Sequence, residues 1–129
     1  TKFLHTAMVS HGLSDEEAFD RFFVLDHEGC ITTARKHVSP TVQPFADRDE
    51  SMEGLSLAET VKRVKPDALL GLTGFGGLFT QDVLEELAEG CDRPILFPMS
   101  NPTHKMECTA EQGHVACKGR AIFASGSPQ

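Results

Sequence analysis

Four polar or glycine-rich stretches hold the side chains able to do chemistry: Asp26, the Thr73–Gly77 loop, the Ser100–Thr103 loop and the Ser125–Pro128 tail. Each follows a short apolar run. Asp26 ends Phe22-Phe23-Val24-Leu25, and a carboxylate at such a strand end can accept hydrogen bonds from ribose hydroxyls. It can equally be a turn residue ahead of His27-Glu28-Gly29, and spacing alone does not choose. Thr73-Gly74-Phe75-Gly76-Gly77 lets backbone approach a ligand closely. It lacks the Lys-Ser/Thr of a triphosphate loop, and it also reads as a tight strand-to-helix turn. Asn101 offers an amide to a carboxylate or carboxamide, although Asn101-Pro102 is also ordinary turn chemistry.

The other reactive residue types form no pattern. His5, His11, His27, His37, His104 and His114 lack metal-ligand spacing. Cys30, Cys91, Cys108 and Cys117 form no C-x-x-C pair, which argues for free thiols in a reducing, intracellular compartment and against zinc. Cytosol and mitochondrion are not distinguished. The acidic run from Asp47 to Glu53 reads as a solvated face. A net charge of -7 argues against nucleic acid as a partner, since phosphate binding needs clustered Lys and Arg. No apolar run approaches the roughly 20 residues of a membrane span. There is no Tyr and no Trp among the 129 residues.

The elements that must carry these loops follow from periodicity and caps. Residues 2–12 read as a helix stopped by Gly12. Ser14-x-x-Glu17, Ser56-x-x-Glu59 and Thr109-x-x-Gln112 are capping-box signatures for three further helices. Thr80 to Glu89 places Val83, Leu84, Leu87 and Ala88 on one helical face. Strands are expected near 22–26, 68–72, 94–98 and 121–125, with 30–54 as a long surface loop. Continuous apolar strands alternating with amphipathic helices predict an α/β fold. Its form is a Rossmann-like, doubly wound parallel sheet with helices on both faces. In such a sheet ligands bind beyond the carboxyl ends of the strands, where all four stretches fall.

Several motifs together resemble the malic enzyme family. They are Leu25-Asp26-x-x-Gly29, Val64-x-Pro66-x-Ala68-Leu69-Leu70-Gly71, Gly76-Gly77-x-Phe79-Thr80 and Arg93-Pro94-Ile95-Leu96-Phe97. They continue with Ser100-Asn101-Pro102-Thr103, Glu107-Cys108-Thr109-Ala110-Glu111 and the run from Gly119 through Arg120-Ala121-Ile122-Phe123-Ala124-Ser125-Gly126-Ser127-Pro128. The resemblance implies oxidation of malate with NAD or NADP and Mg²⁺ or Mn²⁺, releasing CO₂ and pyruvate. It implies that Asp26 contacts the adenosine ribose and that Thr73 and Gly74 lie along the dinucleotide. Ser100 and Asn101 would sit near the nicotinamide and substrate, with Asn101 touching malate.

The resemblance also implies absences. The family's first glycine-rich turn and preceding strand, its metal-binding carboxylates and its lysine base would lie before Thr1. Its later asparagines would lie after Gln129, and its tyrosine acid has no counterpart here. Residues 1–129 are therefore expected to be a partial NAD(P)-binding domain, truncated at both ends. Alone it should be inactive and a weak dinucleotide binder, prone to self-association; the parent would be a homo-oligomer. Asp26 and Glu28 lean the coenzyme toward NAD, while Arg35, Lys36 and Arg48 keep NADP open. The alternative is a non-catalytic Rossmann-type nucleotide-binding or interaction module.

Overall fold

The computed structural model describes residues 1–126. The chain divides into two compact units, Thr1–Ser56 and Leu57–Gln129.

The first unit opens with helix α1, Lys2–Ser10, ended by Gly12 at φ 109°. Helix α2, Asp15–Phe19, carries the expected capping box: the Glu17 N–H donates to Ser14 Oγ at 3.1 Å, and the Ser14 N–H donates to Glu17 Oε1 at 3.4 Å. Phe19, Phe22 and His5 gather around buried Phe45 in stacked and edge-on ring contacts.

The expected parallel strand at 22–26 is not formed. Strand β1 is only Leu25–Asp26, paired antiparallel with β2, Gly29–Cys30. The reason is local: Asp26 Oδ1 accepts the Glu28 N–H at 3.0 Å, so the side chain itself folds the strand back. A short apolar run satisfies either arrangement, because Phe22 finds its packing against Phe45 rather than in a sheet. Residues 30–54 are likewise not a surface loop. Ile31, Thr32, Phe45 and Met52 are buried, and two 3₁₀ turns, Gln43–Phe45 and Glu50–Met52, fold the segment back on the hairpin. The Cys30 N–H donates to Leu55 O at 2.9 Å and the Gly54 N–H to Cys30 O at 3.0 Å. Gly29 makes this approach possible, since a side chain there would meet the Gly54 backbone at 2.5 Å.

The second unit is the parallel sheet. Helix α3, Leu57–Val64, leads to β3, Ala68–Gly71; α4, Gln81–Gly90, leads to β4, Ile95–Pro98; α5, Ala110–Ala116, leads to β5, Ile122–Phe123. The order is β3-β4-β5, all parallel, with Ala68 opposite Ile95 and Ile95 opposite Ile122. Each strand follows a helix, the repeated crossover of a Rossmann-like domain. Thr80 caps α4, and Thr109 with Gln112 forms a capping box on α5.

Alternation decides which side of the sheet is core. Leu69 and Leu96 are buried with Val61, Phe79, Val83, Leu84, Leu87 and Cys108, while α4 packs on α3 and α5. Each fully buried leucine contributes about 1.5–3 kcal/mol through its removal from water. The opposite face carries Ala68, Leu70 and Ile122, all exposed, with Ile95 and Phe97 half-buried. Helices on both faces were expected. Among the described residues of this unit, α3, α4 and α5 cover one face and leave this apolar row open.

Candidate functional site

The carboxyl ends of β3 and β4 bring three of the expected residues together: Thr73, Gly74 and Ser100. What joins them is a residue without an assigned role, Glu107. It has no exposed surface. Its Oε2 accepts the Ser100 hydroxyl at 2.6 Å, the Thr73 hydroxyl at 2.7 Å and the Thr73 N–H at 3.0 Å. The Ser100 N–H reaches Oε1 at 3.5 Å. The relay continues outward: the Gly74 N–H donates to Ser100 Oγ at 2.8 Å, and the Phe75 N–H donates to Thr73 Oγ1 at 3.1 Å. Burial opposes the charge of Glu107. Hydrogen bonds from Ser100 and from the backbone and hydroxyl of Thr73 outweigh it, holding the carboxyl below its ordinary value.

The backbone of this segment carries the rest of the glycine-rich turn. The Gly77 N–H donates to Met106 O and the Phe79 N–H to Glu107 O, each at 2.9 Å. Gly71, the last residue of β3, leaves the space that the Glu107 side chain fills. A Cβ there would lie 2.5 Å from Glu107 Cδ.

Asn101 stands exposed in the turn after β4, and the Asn101–Pro102 peptide is cis. A Cβ on Gly126 would come within 3.2 Å of Asn101 Nδ2, so glycine keeps that approach open. Ser125 is half-buried. Ser127 and Pro128, the end of the fourth expected stretch, lie outside the described residues.

Asp26 belongs to the first unit, where its partner is Arg35. The Arg35 guanidinium donates to Asp26 Oδ1 at 2.6 Å and to Glu53 Oε2 at 2.6 and 2.9 Å. It also reaches the Cys30 carbonyl at 3.1 Å. Glu53 in turn accepts the hydroxyl and N–H of fully buried Thr32 at 2.8 and 3.1 Å. The Arg35 side chain is only 9% exposed, whereas that of Asp26 is 38% exposed. Burial pushes Asp26 up, but Arg35 and the Glu28 N–H outweigh it and keep the carboxyl below its usual range. The Arg35 guanidinium and the Glu28 N–H both bond Asp26 through Oδ1. Asp26 borders a cavity of about 380 Å³ lined by Val24, Leu25, Ile31, Val38 and Val42.

Glu107 was read from sequence only as part of a motif, and Arg35 only as one of three cations that could meet a 2′-phosphate. Glu107 had a signal, a charge wedged between apolar Met106 and Cys108. Arg35 had only its charge, and the structure commits it to Asp26 and Glu53. The Asp47–Glu53 run, expected to be a solvated face, includes Glu53, which holds Arg35 and Thr32. Among the described residues, no three His, Cys, Asp or Glu side chains group where a metal ion could be held. The four cysteines are free thiols, and Cys30, Cys108 and Cys117 are buried. No described helix is long and apolar enough to cross a membrane.

Comparison with known proteins fits this arrangement. The family model described as malic enzyme, NAD binding domain, matches residues 1–129. A NADP-dependent malic enzyme of Dictyostelium discoideum is 47% identical over 118 residues, covering 91% of this chain and 22% of that protein. A mitochondrial NAD-dependent malic enzyme of Solanum tuberosum is 48% identical over 120 residues, covering 88% of this chain and 19% of that protein. A malolactic enzyme of Lactococcus lactis is 40% identical over 129 residues, covering 97% of this chain and 24% of that protein. The chain thus spans about a fifth of the length of the curated relatives it matches.

Proposed function

This chain belongs to the malic enzyme family, within its NAD-binding domain, and from that premise we propose that it supplies dinucleotide- and malate-facing groups to an oxidative decarboxylase. The reaction is malate to pyruvate and CO₂. When bound, the nicotinamide dinucleotide takes up the hydride that malate loses. The observation that carries the reading is the pair of turns beyond β3 and β4, tied into one hydrogen-bonded unit at the edge where open parallel sheets bind ligands.

Each residue has a stated task in this reading. Asp26 accepts hydrogen bonds from the adenosine ribose through Oδ2, while Arg35 and the Glu28 N–H hold Oδ1. Thr73 and Gly74 line the dinucleotide. Their N–H groups are already donated within the protein, so they offer the ligand carbonyl and surface contact rather than those donors. Ser100 places the nicotinamide end, and Asn101 binds malate through its amide. Mg²⁺ or Mn²⁺ is part of the proposed chemistry. The described residues do not fit it: no three candidate ligands converge, and Glu107 is filled by hydrogen bonds. No metal step is assigned to this chain.

The coenzyme is proposed to be NAD. Arg35 is the cation nearest the ribose acceptor, and it is already committed to Asp26 and Glu53, with Glu28 at 3.9 Å. A 2′-phosphate would meet three carboxylates around one cation. The named relatives include both NAD- and NADP-dependent enzymes at similar identity, so they do not decide the preference. We further propose a homo-oligomeric enzyme in a reducing compartment, in line with the exposed apolar row of the sheet and the free thiols.

The test is the intact protein with malate, Mn²⁺ and either dinucleotide. Pyruvate and reduced coenzyme in equal amounts are expected. Lactate without net coenzyme reduction would replace this reading with one like the malolactic relative, and dinucleotide binding without turnover would favour a non-catalytic binding module. Asn101→Ala should lower kcat/KM for malate by roughly tenfold or more, the loss of a hydrogen bond to a charged group. Residues 1–129 produced alone should show no turnover, because the chain contains no Tyr to serve as an acid and, among the described residues, no converging metal ligands. Malate-dependent coenzyme reduction by that segment would overturn this part.

A further inference from the structure

We propose that Glu107 is a positioning residue of the coenzyme site, a buried carboxylate that locks the turn after β3 to the turn after β4 so that the dinucleotide meets one rigid surface. This rests on the functional reading above and adds a residue that touches no ligand itself.

Three observations carry it. First, Glu107 is fully buried and its carboxylate accepts from both of the turns the coenzyme is proposed to face. Its Oε2 collects the Thr73 N–H, the Thr73 hydroxyl and the Ser100 hydroxyl within 2.6–3.0 Å. A carboxylate is the side chain that suits this place, because every group presented to it is a donor and it offers only acceptors. Second, the bonds form a relay rather than a lone contact. Ser100 accepts from Gly74 while donating to Glu107, so the direction of the Gly74 peptide is set from below by the carboxylate. Third, the strand makes room for it. Gly71 is buried, and any side chain there would overlap three atoms of Glu107 at 2.5–2.8 Å.

Without the carboxylate, the two turns keep the direct Gly74–Ser100 bond but lose the acceptor that orients both the Thr73 and the Ser100 hydroxyls. Thr73 and Gly74 would sample several backbone conformations, and coenzyme binding would have to select one of them, which weakens affinity by the fraction populated. Asn101, next to Ser100, would lose its fixed position in the same way. The predicted effect is on coenzyme affinity first, with the hydride-transfer chemistry itself left in place once both ligands are bound.

The experiment uses the intact enzyme and reduced dinucleotide as the probe, with binding read by the fluorescence of the reduced nicotinamide and turnover by steady-state kinetics. Glu107→Gln keeps shape and one acceptor oxygen but turns the other into a donor facing the Ser100 N–H. The expected result is a roughly tenfold rise in the coenzyme Kd and KM, with kcat at saturating coenzyme and malate within about threefold of the parent. Thr73→Val removes one donor and should raise the Kd by about threefold. In the Glu107→Gln background Thr73→Val should add little, because both changes break the same link.

Equal coenzyme affinity in the parent enzyme and Glu107→Gln overturns the proposal. Fully additive losses overturn it as well, since Thr73 would then act on the coenzyme independently. A parent protein that does not bind reduced dinucleotide refutes the functional reading instead, so the two failures are told apart. Should Glu107→Gln fail to fold, Gly71→Ala, which crowds the carboxylate from below, decides instead: an unchanged coenzyme Kd refutes the link, and a raised Kd supports it.

Discussion

Replacing Gly71 by alanine should destabilise the protein locally, against the usual sign of that change. At a backbone position that alanine tolerates, Gly→Ala stabilises by about 0.4–1 kcal/mol through the unfolded chain. Gly71 has no positive φ, so the backbone does not object. The neighbour does. The new methyl would lie 2.5 Å from Glu107 Cδ, 2.7 Å from Oε1 and 2.8 Å from Cγ. Relieving those contacts requires the carboxylate to retreat by about 1 Å, comparable to the shifts that overpacked cores make. Its bonds of 2.6, 2.7 and 3.0 Å would then stretch past the limit of useful geometry. One or two bonds to a charged acceptor lost, at about 1.5–3 kcal/mol each, offset by the chain-entropy gain, leave a net cost of about 3 kcal/mol. Amide hydrogen exchange read by mass spectrometry on peptides covering 69–80 and 99–108 measures this inside a large protein. Exchange should accelerate by about a hundredfold in both peptides and little elsewhere. The matching control is Gly71→Ala in a Glu107→Ala background, where the methyl has space and should cost almost nothing. Unchanged protection in Gly71→Ala, or equal effects in both backgrounds, would refute the packing of Glu107 against Gly71.

Three further outcomes follow from the same structure. Steady-state kinetics of the intact enzyme should give a higher kcat/KM with NAD than with NADP, and a clear NADP preference would show that the Asp26–Arg35–Glu53 cluster does not repel a 2′-phosphate. Alkylation at pH 8 followed by peptide mapping should modify Cys91, which is half-buried, well before Cys30, Cys108 and Cys117; burial, with the Glu107 charge beside it, pushes the Cys108 thiol up to about 12, and fast labelling there would contradict its placement. Glu107, Asp26 and Glu53 all sit below their ordinary values, so the stability they confer is complete above those values and is lost as pH falls through the folded-state values; urea midpoints should hold at neutral pH and drop below about pH 4.5, with a shallower drop in Glu107→Gln.

The parts of this fold that the sequence makes legible are those where local rules and burial agree. Three parallel strands appear where apolar runs at 68–72, 94–98 and 121–125 were expected, and the capping boxes at Ser14 and Thr109 form as their spacing requires. The run at 22–25 misleads because a four-residue apolar stretch has no period of its own. Its fate is decided by Phe45, 23 positions beyond Phe22, and by the Asp26 turn. Residues 30–54 misread as surface for a related reason: Ile31, Phe45 and Met52 are buried singly, with no helical or strand spacing to announce them. In the site, Thr73, Gly74 and Ser100 are legible as loop residues at strand ends. Their connection through Glu107 is not, because it depends on side chains 7 to 34 positions apart meeting in space.

That same separation sets a timetable for the growing chain. The bonds that shape the Thr73 turn come from a residue 34 positions later, and the Gly74 bond from one 26 positions later. At roughly 5–20 residues per second of synthesis, Glu107 is added about 2–7 s after Thr73. Until then the Thr73 N–H and hydroxyl have no carboxylate to donate to, and Gly74 waits for the Ser100 hydroxyl. The β3 strand can wait for β4 on its own pairing, but the turn beyond it cannot acquire its final shape from anything translated before Met106. A stall or frameshift within the stretch between Ser100 and Glu107 would thus release a chain with α3, β3, α4 and β4 already synthesised and no formed turn at their carboxyl edge. Quality control would meet a molecule whose core can assemble and whose ligand surface cannot.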